Sequence, residues 1–152
     1  MQMARRGVIV AVLGLLAVVG AEARASEPMK AIVASYLEMQ QQLAADKIET
    51  VKVQAHAIGE QAAKLEQGGS AIATAAAMVE KAADIKAVRN AFGPLSDAVV
   101  AAAKADGWTD VSGLKLAYCP MVKHTWLQTS ETLQNPYFGQ SMPGCGEFRK
   151  MQ

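Results

Sequence analysis

Apolar positions along most of this chain recur at the spacing of amphipathic helices. Ile32, Tyr36, Met39 and Leu43 step by four, three and four, which places them on one face and predicts a first helix with Pro28 in its opening turn. Ile48, Val51, Ala55, Ile58, Ala62 and Leu65 alternate steps of three and four and predict a second. Asp46-Lys47-Ile48-Glu49 reads as its capping box, and Gly68-Gly69 as its stop. A third helix from near Ser70 carries Ile72, Ala76, Val79 and Ala83, after which Asp84 can cap a fourth with the stripe Val88, Phe92, Leu95 and Val99. Gly93-Pro94 falls inside that last stripe. Proline lacks an amide donor and clashes with the preceding turn, so a kink or a restart is expected there. Four stripes of this kind can bury one another as a bundle over residues 28–106, with alanines allowing close approach.

The period changes past Asp106-Gly107. Leu114, Leu116 and Tyr118 alternate with Lys115, Ala117 and Cys119, a two-residue period that reads as a strand. A second extended piece around Thr125-Trp126-Leu127 can pair with it as a hairpin, with the turn at Pro120 to His124. Asn135-Pro136-Tyr137-Phe138-Gly139 and Met142-Pro143-Gly144-Cys145-Gly146 are rich in turn formers. The expected fold is therefore all-α, a four-helix bundle with a short C-terminal β-hairpin and an irregular tail over 107–152.

The first 25 residues stand apart. Arg5 and Arg6 precede Gly7 to Gly20, a run without one polar side chain, and Ala23-Arg24-Ala25 offers a small-x-small cleavage site. The run is shorter than the ~20 residues a spanning helix needs. These features predict a signal peptide over 1–25, cleavage after Ala25, a mature domain over 26–152 in the bacterial periplasm, and no stable membrane insertion afterwards. Removing Arg5, Arg6, Arg24 and Glu22 from the 15 basic and 14 acidic residues leaves a net charge of −1. Nothing in that balance suits a nucleic-acid backbone. At 152 residues the chain has room for one domain of ordinary size. Aromatics make up only 5% of it, yet Trp108, Tyr118, Trp126, Tyr137 and Phe138 all fall near the tail, where they are expected to seal it onto the bundle.

The tail also carries the sulfur chemistry. Cys119-Pro120-Met121 sets a thiol and a thioether two positions apart, and Met142-Pro143-Gly144-Cys145 sets another pair three apart. If the tail folds back, four sulfurs converge. Thiolates and thioethers together suit a soft cation such as Cu(I), whereas Zn(II) takes thiolate, imidazole or carboxylate. The competing reading is a disulfide, the ordinary fate of two cysteines in an exported protein; closing the loop 119–145 would contribute roughly 3 kcal/mol in the chain-entropy model. Met121 and Met142 would then be gap fillers, as Met39 and Met78 are expected to be in the helical stripes.

The run Leu116-Ala117-Tyr118-Cys119-Pro120-Met121, followed by Trp126-Leu127, Asn135-Pro136-Tyr137-Phe138-Gly139, Met142 and Cys145-Gly146, resembles a bacterial family of uncharacterised exported domains. Members occur alone after a signal peptide, and similar domains are fused to periplasmic adaptor subunits of copper/silver and other heavy-metal efflux pumps. Arg89, Phe92 and Leu95-Ser96 fit the same family more loosely. Pro143-Gly144 stands where the family more often has bulkier residues. The resemblance implies a helical domain with a sulfur-bearing tail that works near metal export.

His124 lies next to the Cys-x-Met pair and could add an imidazole ligand; the alternative is a solvated turn residue. His56 flanks the second stripe and is expected at the surface. Asn135 before Pro136 is expected to set a turn through its side chain. Cys119 with His124 forms the one candidate nucleophile arrangement, with no orienting partner evident, so no enzyme is expected. The expected function is binding or delivery of a soft metal, Cu(I) or its congener Ag(I), through Cys119, Met121, Met142, Cys145 and His124, with an efflux adaptor as a candidate partner. The rival is a disulfide-stapled interaction module that docks on an envelope or efflux partner without touching metal; a thiol oxidoreductase ranks third.

Overall fold

The structure is a computed structural model that describes residues 26–108 and 113–151. The expected signal peptide lies outside those residues. Four helices come first: α1 (Glu27–Ala44), α2 (Val51–Ala62), α3 (Gly69–Lys81) and α4 (Ile85–Ala105). Each packs on the next, and α1 also reaches α4. The four stripes face inward almost as spaced. Ile32, Tyr36, Met39 and Leu43 are fully buried, as are Val51, Ala55, Ile58 and Ala62, and as are Val88, Phe92, Leu95 and Val99. Pro28 sits in the first turn of α1, and Ser26 ahead of it accepts a bond from the Met29 amide. Among the described residues no helix is long and apolar enough to cross a membrane.

The fold is not purely α-helical. Strands β1 (Lys115–Cys119), β2 (His124–Gln128) and β3 (Glu147–Arg149) form an antiparallel sheet in the order β2-β1-β3. The hairpin β1–β2 appears at the expected place, with Ala117 opposite Trp126 and Cys119 opposite His124. The third strand was not foreseen, because three exposed residues are too short a run for alternation to register. The guanidinium of Arg149 lies 3.7 Å from the centre of the Tyr118 ring, a cation–π contact that fastens this edge. The sheet rests through β2 on α4 and α1.

Several local expectations are corrected. Asp46 is not a capping residue: it stands in a left-handed turn at φ 60°, its carboxylate is taken by Arg89, and α2 starts only after Thr50, which makes no side-chain cap. Ile48 therefore precedes α2, and Leu65 follows it. Gly68-Gly69 does not stop α2, which ends at Ala62; the pair opens α3 instead, Gly68 in the left-handed region and Gly69 as its first residue. Ala82, not Ala83, closes the third stripe, because α3 ends at Lys81 and the chain turns there. Helix α4 does not restart at Pro94 but runs as one element across it, capped by Asp84, whose carboxylate accepts the Ala87 amide at 2.8 Å. Met78 is no core residue: it is 54% exposed on the outer face of α3, whereas Met39 is buried.

Candidate functional site: a thiol pair under the folded-back tail

The hairpin turn brings the first cysteine into place. Cys119 ends β1, the Lys123 amide donates to its carbonyl at 2.8 Å, and Lys123 adopts φ 61° to close the turn. Cys119 is fully buried. Met121 projects from the turn two residues later and is 60% exposed.

The second cysteine returns through one side chain. Asn135 is fully buried, and its Oδ1 accepts from the amides of Tyr137 at 2.8 Å and Phe138 at 3.3 Å, the local turn its sequence position suggests. It does more than set that turn. Its Nδ2 donates to the Cys145 carbonyl at 2.5 Å, and its own amide donates to the Pro143 carbonyl at 2.9 Å. Both ends of the loop 135–145 are thereby tied to a single residue. Within the loop the Cys145 amide donates to the Met142 carbonyl at 3.2 Å, and Met142 is 37% exposed.

The outcome is that the Cys145 side chain comes within hydrogen-bonding reach of Cys119, with no covalent bond between the two sulfurs. The pKa of Cys145 is raised above the ordinary thiol value, first by desolvation, then by the charge of Cys119 and a hydrogen bond between the two side chains. The neighbouring sulfur thus opposes ionisation of Cys145. A soft cation removes that resistance by replacing the protons.

His124 stands opposite Cys119 in the hairpin register, yet its ring is engaged on α4. Nδ1 lies 2.6 Å from Asp97 Oδ2, while Asp97 Oδ1 accepts from the Thr125 amide at 3.0 Å and the Thr125 hydroxyl at 2.7 Å. In the neutral ring Nδ1 then carries the proton and Nε2 keeps its lone pair. A methyl group at Gly93 would overlap the Nε2–Cδ2 edge, so glycine there lets the ring lie against the helix backbone. Beside it is a cavity of about 270 Å³ lined by Arg89, Asn90, Val122, His124 and Tyr137. Asp97 is the residue that reasoning from sequence missed. Nothing in its spacing marks it out, since it lies four positions beyond Gly93 on a helix whose partner strand is remote in sequence.

The bundle prepares a dock for all of this. Tyr36, Phe92 and Tyr137 form a run of rings with centroids 5.3 and 5.7 Å apart, and Trp126 meets Tyr137 edge-on at 6.1 Å. The Leu127 amide donates to the Tyr36 hydroxyl at 3.1 Å, which contacts the Ser96 hydroxyl, which donates to the Thr125 carbonyl at 2.7 Å. Burial raises the pKa of both Tyr36 and Tyr137, so each keeps its proton as a donor. Arg89 reaches the carbonyls of Pro136 at 3.0 Å and Leu43 at 2.8 Å and the Asp46 carboxylate at 2.5 Å. Gly139 passes so close to that ion pair that a side chain would collide with both partners. His56 stays at the surface, within 3.6 Å of Glu80.

A family model described as "Protein of unknown function (DUF3347)" matches residues 32–110, more than half of the chain. The chain belongs to that family. No curated protein and no solved structure matches it. The DUF3347 match begins within α1, runs through α4 and includes Tyr36, Arg89, Phe92, Gly93, Ser96 and Asp97, residues on which the tail docks. It ends before Cys119, Met121, His124, Met142 and Cys145. Family membership thus accounts for the platform and is silent on the sulfur chemistry built upon it.

Proposed function

We propose that this protein is a periplasmic carrier of a soft metal, Cu(I) or Ag(I), held between Cys119 and Cys145 with thioether support from Met142 and Met121, and that it serves heavy-metal efflux or homeostasis. The observation that carries the reading is that a loop whose ends are both bonded to Asn135 returns Cys145 to Cys119. Thiolate and thioether donors select soft cations. Met121 and Met142 stand outside the packed core, so neither thioether is committed to filling it. Among the described residues, no group of three or more histidine, cysteine, aspartate or glutamate side chains is arranged to hold a metal. Two thiolates with thioether support suit Cu(I) better than Zn(II). His124 enters as an imidazole oriented by Asp97 rather than as a member of the sulfur cluster.

Export rests on the arginine-led apolar run and the small-x-small site at Ala25, and the link to efflux rests on the resemblance of the tail to domains fused to efflux adaptors. Turnover is not part of the proposal. Asp97 does supply an orienting carboxylate to His124, which keeps a thiol oxidoreductase as the third reading. Competition titration against a Cu(I) chelator tests the reading. Serine at Cys119 or Cys145 should weaken binding by about 100-fold or more, and leucine at both methionines should weaken it measurably with stability preserved. Equal affinity of wild type and the double leucine variant would return the methionines to packing.

The second reading, a disulfide-stapled interaction module, has one observation in its favour. The same closeness of Cys119 and Cys145 that suits a metal also suits oxidation to a bond that would pin the tail to β1.

A further inference from the structure

The backbone nitrogen of Ser26 lies 2.6 Å from Asp106 Oδ2, joining the first residue ahead of α1 to the first residue after α4. That is short for an N–H donor, and the carboxylate makes the bond charge-assisted. We propose that hydrolysis of the Ala25–Ser26 bond completes the fold, because the ammonium group it releases on Ser26 forms an ion pair with Asp106 that ties the start of α1 to the end of α4. The inference rests on the exported, processed form named above and is independent of metal.

In the cleavage, water supplies hydroxyl to the Ala25 carbonyl and a proton to the departing Ser26 nitrogen. The second ionisation, of the new Ala25 carboxylic acid, supplies the proton that makes the amine an ammonium. Each charge alone is badly placed. Asp106 lies at the negative end of the α4 dipole, where a carboxylate is unfavourable, and an ammonium on Ser26 lies at the positive end of the α1 dipole, where a cation is unfavourable. Set against each other, the two liabilities cancel. The Ser26 hydroxyl is free of this pairing and caps the Met29 amide. Glu27 is already engaged with Lys30 at 2.6 Å, Lys64 and Glu66, one of each sign, line the adjoining cavity, and Lys104 stands in the last turn of α4.

The test is a double-mutant cycle on the processed chain purified from the periplasm, its start fixed by intact mass. Asp106→Asn is introduced into that chain and into the same chain acetylated at Ser26, which restores an uncharged amide, and folding constants are read from denaturant unfolding. The expected result is a loss of about five-fold on Asp106→Asn with the free amine and less than about two-fold with the acetylated one. Equal losses in the two backgrounds, or an exported chain that starts elsewhere than Ser26, would overturn the proposal. Cu(I) titration of the same four proteins should give one affinity, so a failed metal reading would leave this result standing.

Discussion

The bundle and the tail are held together by different means. In α1 to α4 each helix contributes a stripe of buried aliphatic or aromatic side chains, and the load is spread over many contacts of similar kind. The tail adds Leu116, Trp126, Leu127 and Tyr137 to the same core, but its loops past Gln128 bury few side chains of that kind. Its course depends on a few polar side chains that each make several bonds: Asn135 for the loop 135–145, Gln128 for the loop 130–134, and Arg89 and Asp97 for attachment to the bundle. The bundle should therefore yield gradually to substitution, whereas the tail should fail at single points. A site placed on the tail inherits that sensitivity.

Breaking the seam between the regions should have the largest effect. Phe92 packs on Tyr36 within the bundle and on Tyr137 from the tail, and Phe92→Ala should cost about 3–5 kcal/mol in denaturant unfolding, lowering the stability of both parts together. Loss of tail structure with the bundle unchanged would show that the regions are independent.

Next in size is Asn135→Ala. It leaves the Tyr137 and Phe138 amides and the Cys145 carbonyl without their partner, at about 2–3 kcal/mol. The comparison predicts that far-ultraviolet helical signal survives while near-ultraviolet signal from Trp126 and Tyr137 falls and Cu(I) binding weakens. An unchanged near-ultraviolet spectrum would mean that the loop has other anchors.

A smaller effect sharpens the account of the thiols. Because the pKa of Cys145 is raised, its proton is present at neutral pH and must leave when metal binds. The sign follows: binding is opposed by protons and strengthens as pH rises, by about tenfold per unit for each proton released, until the thiol ionises on its own. Calorimetry in buffers of different ionisation enthalpy should detect that release. Affinity independent of pH between 6 and 8 would remove Cys145 from the ligand set.

How far the sequence discloses the molecule follows the same division. Bundle stripes were legible because a helix repeats its burial pattern, so Val88, Phe92, Leu95 and Val99 identify one another. Helix ends were less so: Asp46 has the spacing of a cap, but the Arg89 guanidinium, 43 positions away, competes for its carboxylate. In the tail, the hairpin was readable from alternation and Asn135 from its place before proline. Neither Asp97 beneath His124 nor β3 against β1 was readable, since both depend on partners remote in sequence and on no local period. The meeting of Cys119 with Cys145 was an expectation from residue type alone, and its cause, the double hold of Asn135, belongs to the folded chain.

One measurement bears most directly on the central claim that the tail keeps Cys119 and Cys145 as a metal-binding thiol pair. Protein isolated from the periplasm of copper-supplemented cells under anaerobic conditions can be assayed for thiols after denaturation in the presence of a chelator, and for copper beforehand. The account predicts two free thiols and one Cu(I) per chain, with copper lost in Cys145→Ser. No free thiols and no copper, in a chain whose disulfide forms quantitatively, would contradict it and leave the stapled interaction module in its place.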